Sequence, residues 1–161
     1  MSGKLVASLI LLGLLALAAA SRLAFASPAA AVLPDPAAVA RIKADERNCP
    51  GCDLRGADLS NTCVKGGDLT NARFDGAKLA YMCMSDANFT RVSFRDADLS
   101  GANLARSNLA GADLTGALLA ITSLKGTDLS AAKGLTQAQL DDACADEATK
   151  VPVGLIAKTC S

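Results

Sequence analysis

Ala97-Asp98-Leu99-Ser100-Gly101-Ala102-Asn103-Leu104-Ala105-Arg106 carries the pattern that decides the fold: a small residue, then Asp or Asn, then Leu, repeated five residues later. Followed outward, the apolar position recurs without a gap at Leu54, Leu59, Val64, Leu69, Phe74, Leu79, Met84, Phe89, Phe94, Leu99, Leu104, Leu109, Leu114, Leu119, Leu124 and Leu129. Two residues before most of these sits a small side chain, as at Ala57, Ala72, Ala87 and Ala112, with Met82 and Val92 as bulky departures. A period of five fits neither a helix (about 3.6) nor a flat strand (about 2). It demands a chain that turns a corner once per five residues and points the same two positions inward each time. Such a unit cannot bury its apolar face alone, so successive turns must stack into a solenoid.

Charge tells how many repeats make one coil. Stacked parallel coils bring equivalent residues about 4.8 Å apart, where opposite charges attract and like charges repel. At a separation of 20 residues, Asp53/Arg73, Asp58/Lys78, Lys78/Asp98, Arg55/Asp75, Asp75/Arg95 and Asp86/Arg106 are all opposite in sign. At 15, only Asp58/Arg73 is opposite, while Asp53/Asp68, Asp98/Asp113, Asp113/Asp128 and Arg91/Arg106 are alike. Four repeats per coil is therefore the expected period, giving a square prism of four coils from sixteen repeats. Its interior would be filled by the sixteen central side chains, leaving no cavity for a substrate.

The units Ala57-Asp58-Leu59-Ser60-Asn61 and Ala112-Asp113-Leu114-Thr115-Gly116 resemble those of the pentapeptide repeat family, and the resemblance covers residues 52–131. It implies a right-handed quadrilateral β-helix, an all-β solenoid, and implies no common activity. Some members of that family mimic B-form DNA and act on type II topoisomerases. That role suits a long acidic rod, whereas residues 53–131 here carry nine Asp against eight Lys and Arg.

The flanks read as an export signal and two caps. Lys4 precedes the apolar run from Leu5 to Ala20, and Ala24-Phe25-Ala26 offers a small-x-small cleavage pattern, so residues 1–26 are expected to be a signal peptide. Its loss removes Lys4 and Arg22, taking the 16 basic side chains to 14 against 16 acidic ones. That balance argues against a nucleic-acid partner. The expected destination is periplasmic or secreted, with no membrane span after cleavage. Residues 27–35 read as a linker and 36–51 as an N-terminal helical cap. Within that cap Asp35 is the N-cap of a helix over 36–47 whose Val39 and Ile42 share a face. Residues 132–161 read as a capping helix and tail, opened by the capping box Thr136-Gln137-Ala138-Gln139. That helix is expected to carry Leu140, Ala143 and Cys144, with Asp141 and Asp142 in its early turns.

Chemistry-bearing residues are few. The chain has no His, which removes the usual neutral-pH acid–base group and the commonest metal ligand. Six Cys remain. Cys63 and Cys83 stand 20 residues apart at equivalent outward positions, so a disulfide between the first two coils is expected. Cys144 and Cys160 are candidates to tie the tail to the capping helix. Cys49-Pro50-Gly51-Cys52 has the spacing of a redox dithiol but lacks the βαβ context, so a local disulfide or a partly buried thiol pair is favoured over redox or metal chemistry. No cofactor, metal or catalytic residue is expected. Tyr81 and Ile121 share an outward column with Gly101 between them, and Leu118 lies on the same face. The three form a candidate apolar stripe for a partner protein or a second copy, unless the C-terminal tail covers them. An exported, non-enzymatic scaffold is the leading expectation, with topoisomerase modulation and a Cys49/Cys52 thiol-redox role as alternatives.

Overall fold

The computed structural model describes residues 33–160; the expected signal peptide and most of the linker lie outside the described residues. The central feature is a ladder of parallel bridges in which each residue pairs with the one 20 positions later, from Asp53↔Arg73 through to Asp113↔Lys133. Four columns run through the stack, begun by Asp53, Asp58, Cys63 and Asp68, so the solenoid is four-sided with four pentapeptides per turn. Each side contributes one bridging residue per turn. A corner every five residues leaves too little extended chain for more.

The bridges alternate direction around one residue. Leu54 N–H donates to the Arg73 carbonyl at 2.8 Å, while Arg73 N–H donates to the Cys52 carbonyl at 2.9 Å. The corner is closed locally: Ala57 N–H reaches the Leu54 carbonyl at 3.1 Å and Ala102 N–H the Leu99 carbonyl at 2.9 Å. Two residues after every central side chain but the last, Leu129, the backbone turns left-handed, at Gly56, Gly66 and Gly76 but also at Asn61, Asn71, Tyr81, Asp86 and Ile121.

Inside, all sixteen central side chains are buried, none more than 2% exposed. Burial of such a side chain stabilises by about 1.5–3 kcal/mol before chain entropy is counted. Phe74 and Phe94 stack at 5.3 Å between ring centres, one coil apart, and Phe89 packs on Phe94 from the neighbouring side at 5.5 Å. The small inward position is filled mostly by Ala. Where it is Ser107, Thr122 or Thr127, the buried hydroxyl donates to the carbonyl of Met84, Leu99 or Leu104 below, so none of these three hydroxyls is stranded. Gly67 occupies that position for a different reason: a Cβ there would lie 2.1 Å from the Arg47 carbonyl oxygen, where the N-terminal segment crosses.

The charges follow the 20-residue register less simply than expected. Of the six stacked pairs, Asp58–Lys78 closes at 3.9 Å and Asp86–Arg106 at 2.7 Å. The others find partners elsewhere: Arg55 pairs with Asp53 and Arg73 with Asp75 on their own coil, and Arg95 reaches diagonally to Asp113 at 3.0 Å. Residues i and i+2 flank one central side chain on the same side, and a long Arg reaches either neighbour. Stacking fixes the register, and rotamers choose the partner.

Helix α1 spans Pro36–Lys43, with Asp35 accepting from Ala37 N–H and Pro36 at the start. It is shorter than expected. Ala44 caps it, and Asp45 at φ +63° turns the chain so that Cys49 N–H can join the first coil at the Asp68 carbonyl, 2.8 Å away. Ala38 and Ile42 face the core and Val39 is half-buried. Helix α2 spans Gln137–Asp142 behind the capping box of Thr136 and Gln139. It ends before Ala143 and Cys144, so Asp141 and Asp142 stand in its last turn, where an early-turn position was expected. Gln139 does a second job: its side-chain amide donates to the Leu114 and Ala117 carbonyls, each at 2.8 Å, covering the Ala117 acceptor that no further coil reaches and sharing the Leu114 carbonyl with Ala117 N–H. The tail then resumes pairing in a shifted register, Ser123↔Cys144 and Asp128↔Lys150, because α2 replaces one side of the coil.

Candidate functional site

Where a repeat places Asp or Asn before its central residue, that side chain has a local duty that charge and period alone do not reveal. Its side-chain oxygen accepts from the N–H two residues on, as in Asp58–Ser60, Asp68–Thr70, Asn88–Thr90, Asp98–Ser100, Asn108–Ala110, Asp113–Thr115 and Asp128–Ser130, at 3.0–3.2 Å. These are Asx caps on the turn that follows. They hold the carboxyls below the ordinary carboxylate range. Asp128 falls to about 2, chiefly through the Ser130 hydroxyl and N–H, with Lys150 adding to it. Asp98 and Asp113 are lowered chiefly by the hydroxyls of Ser100 and Thr115. Such side chains are acceptors fixed by the backbone and are poorly placed for proton transfer near neutrality.

Two outward features stand apart from this pattern. The first is apolar. Tyr81 is 62% exposed, Leu118 57% and Ile121 67%, and the tail covers none of them. Tyr81 and Ile121 both sit on left-handed corners, at φ +57° and +52°. Glycine or asparagine normally holds such a place, and a β-branched residue there is strained. Gly101 between them is itself on a left-handed corner, at φ +69°, and lets the Tyr81 ring of the preceding coil lie against it, where a Cβ would stand 2.5 Å from Cδ1 and Cε1 and push the ring aside. Leu118 closes the column of Asp58, Lys78 and Asp98, and beside it a cleft of about 200 Å³ opens between the last coil and α2. Ile121 borders a second hollow, of about 300 Å³, with Asp141, Asp142 and Lys158. The backbone there is anchored by Ile121 N–H on the Asp142 carbonyl at 2.8 Å.

The second feature is sulfur. Cys49 and Cys52 are joined at the entrance to the first coil, and Cys144 and Cys160 join the start of the last partial turn to the tail, each pair with Cα atoms 5.5 Å apart. Cys63 and Cys83 depart from the expected staple: they are neighbours across a parallel bridge but free thiols. Side chains of an in-register parallel pair point the same way, leaving Cβ atoms about one strand spacing apart, ~4.8 Å. A relaxed disulfide wants about 3.5–4.5 Å. Cα distance alone was too lenient a criterion. The neighbouring Cys63 thiol, together with partial burial, pushes Cys83 up. Cys63 opens onto a groove of about 540 Å³ bordered by Lys43, Arg47 and Lys65.

Among the described residues no group of three or more His, Cys, Asp or Glu side chains is gathered to hold a metal, and no helix is long and apolar enough to cross a membrane. A filled interior, a one-bridge ladder on four sides and a left-handed corner every five residues define a pentapeptide solenoid, a β-helix whose available surfaces are all external. The chain belongs to the pentapeptide repeat family, whose model matches residues 52–91, 83–119, 93–130 and 107–149. No curated protein matches it. Among solved structures it is similar to a pentapeptide repeat protein of the Arabidopsis thaliana thylakoid lumen. Identity there is 24%, over 68% of this chain and 62% of that one, with a TM-score of 0.29. The chain thus spans less than two thirds of that protein's length. It is also similar to Rfr23 of the cyanobacterium Cyanothece 51142, with 22% identity over 71% of this chain and 97% of that one, TM-score 0.29. QnrB1, a plasmid-mediated fluoroquinolone resistance protein, matches at 15% identity over 69% of this chain and 79% of its own, TM-score 0.32.

Proposed function

We propose that this protein is an exported, non-enzymatic scaffold: a right-handed prism of four coils and sixteen repeats that binds a partner protein through Tyr81, Leu118 and Ile121. The observation that carries this reading is the placement of two bulky apolar side chains on exposed left-handed corners. Strain of this kind costs on the order of 1–3 kcal/mol per residue, and here burial within the chain does not offset it. A local rule broken without internal compensation marks a position kept for an external contact. Residues 1–26 act as the signal peptide, residues 27–35 as a linker, and the two capped ends, tied by Cys49–Cys52 and Cys144–Cys160, keep the solenoid from pairing end to end in an oxidising compartment.

The test has two arms. Intact mass of protein recovered from periplasmic and cytoplasmic fractions, after alkylation without reduction, reads both processing and thiols. A chain beginning at Ser27, periplasmic and with two alkylated cysteines, supports export. Crosslinking from a photoreactive residue at position 118 then reads the partner, and Tyr81→Asn with Ile121→Asn removes the crosslink. A full-length cytoplasmic chain that binds a type II topoisomerase would overturn the reading.

A further inference from the structure

We propose that Cys63 and Cys83 form a two-thiolate site for a soft d10 cation of the Cu(I) kind. The two residues are bridged partners in the ladder, so their side chains leave the same side of the solenoid in the same direction. That geometry discourages a disulfide, as derived above, but suits a cation held in a line between two sulfurs. A metal–thiolate bond of about 2.3 Å, the zinc–sulfur length, taken twice in a line spans about 4.6 Å. The ladder sets its partners about 4.8 Å apart. The match comes from the backbone and needs no rearrangement of the core.

Ligand number selects the ion. Zinc takes about four ligands, and no third Cys, His or carboxylate joins the pair among the described residues. The next members of the column are Asn103 and Ser123, which offer no soft donor. Thiolate sulfur favours Cu(I), zinc and iron–sulfur clusters, and of these Cu(I) is the one that accepts two-coordination. Charge agrees: a bis-thiolate Cu(I) unit carries one net negative charge. The groove beside Cys63 is bordered by Lys43, Arg47 and Lys65 against the single carboxylate of Asp45. Lys65 is held toward the ladder by Asp86 at 3.9 Å and Arg47 stands 3.8 Å from Asp45. Access is direct, since Cys63 is exposed and Cys83 half-buried. On binding, two S–H bonds break, two S–Cu bonds form and two protons leave to solvent. No oxidation state changes.

The experiment uses the full chain with both disulfides intact, kept anaerobic, and Cu(I) delivered from bathocuproine disulfonate as competing chelator. Native mass spectrometry is expected to show one Cu(I) per chain. Iodoacetamide is expected to modify Cys63 and Cys83 in the copper-free protein and neither in the loaded one. Cys63→Ser and Cys83→Ser each abolish uptake while leaving the thermal melt unchanged. Lys65→Gln weakens it about 10-fold, as changes around a metal's ligands do, and Tyr81→Asn leaves it intact. Uptake that survives both serine variants, no uptake against the chelator, or a protein recovered with no free thiol would overturn the proposal.

Discussion

The interior column and the left-handed corner repeat with the same period, yet they tolerate departures very differently. At the central position every repeat places Leu, Val, Met or Phe, and every one is buried. At the corner the chain places Gly, Asn, Asp, Arg, Tyr and Ile in turn. Packing constrains the first, since any change of volume is felt by the coils above and below. Only backbone geometry constrains the second, and a side chain there projects into solvent. Departures inside would destroy the fold, whereas departures at the corner cost a little stability and are free to carry function. That is why Tyr81 and Ile121, and not any core aromatic, define the proposed surface.

The comparison breaks most visibly at its centre. Phe94→Ala removes the middle of the three-ring cluster and should cost about 3–5 kcal/mol, read as a loss of midpoint in denaturant unfolding. Gly67→Ala tests the one inward position shaped by the lid. Its Cβ meets backbone that cannot move cheaply, 2.1 Å from the Arg47 carbonyl oxygen and 2.9 Å from that of Val64. We expect a loss of about 1–3 kcal/mol and faster reduction of Cys49–Cys52 by dithiothreitol, because the lid must shift.

The Asx caps come next. Asp58, Asp68, Asp98, Asp113 and Asp128 all have folded-state pKa values lowered below 3.8. Their contribution to stability is therefore complete above about pH 4, and it is lost as the pH falls toward the value near 2 set at Asp128. Asp98→Ala should cost about 0.5–1.5 kcal/mol at neutral pH. Asp98→Asn keeps the acceptor, as Asn88, Asn103 and Asn108 do in the native chain, and should flatten the acid limb with little loss at pH 7.

Much of this was legible in the residues themselves. The five-residue period exposed the inward positions, and opposite charges 20 apart exposed the coil register that Asp53↔Arg73 and its successors now display. What escaped was set by short-range geometry. Arg55 turns to Asp53 on its own coil because side-chain reach, not period, decides an exposed ion pair. Cys63 and Cys83 meet the Cα criterion for a disulfide, but the parallel direction of their Cβ bonds is invisible to spacing. Helix α1 stops at Lys43 because the chain must swing Cys49 into the ladder, which is a tertiary demand. The Asx caps left a signal in the Asp or Asn that stands before nine of the sixteen central residues, and turn chemistry was the way to read it.

The smallest effect tests the central claim most directly, because its sign is unusual. Ile121→Asn places a residue tolerant of left-handed backbone where a strained, exposed β-branched one stands. Paired denaturant titrations of the variant and the native chain should show a gain of about 1 kcal/mol, together with loss of the crosslink from position 118. An Ile121→Asn protein less stable than the native chain would mean that Ile121 is held for the fold itself, and would contradict the account.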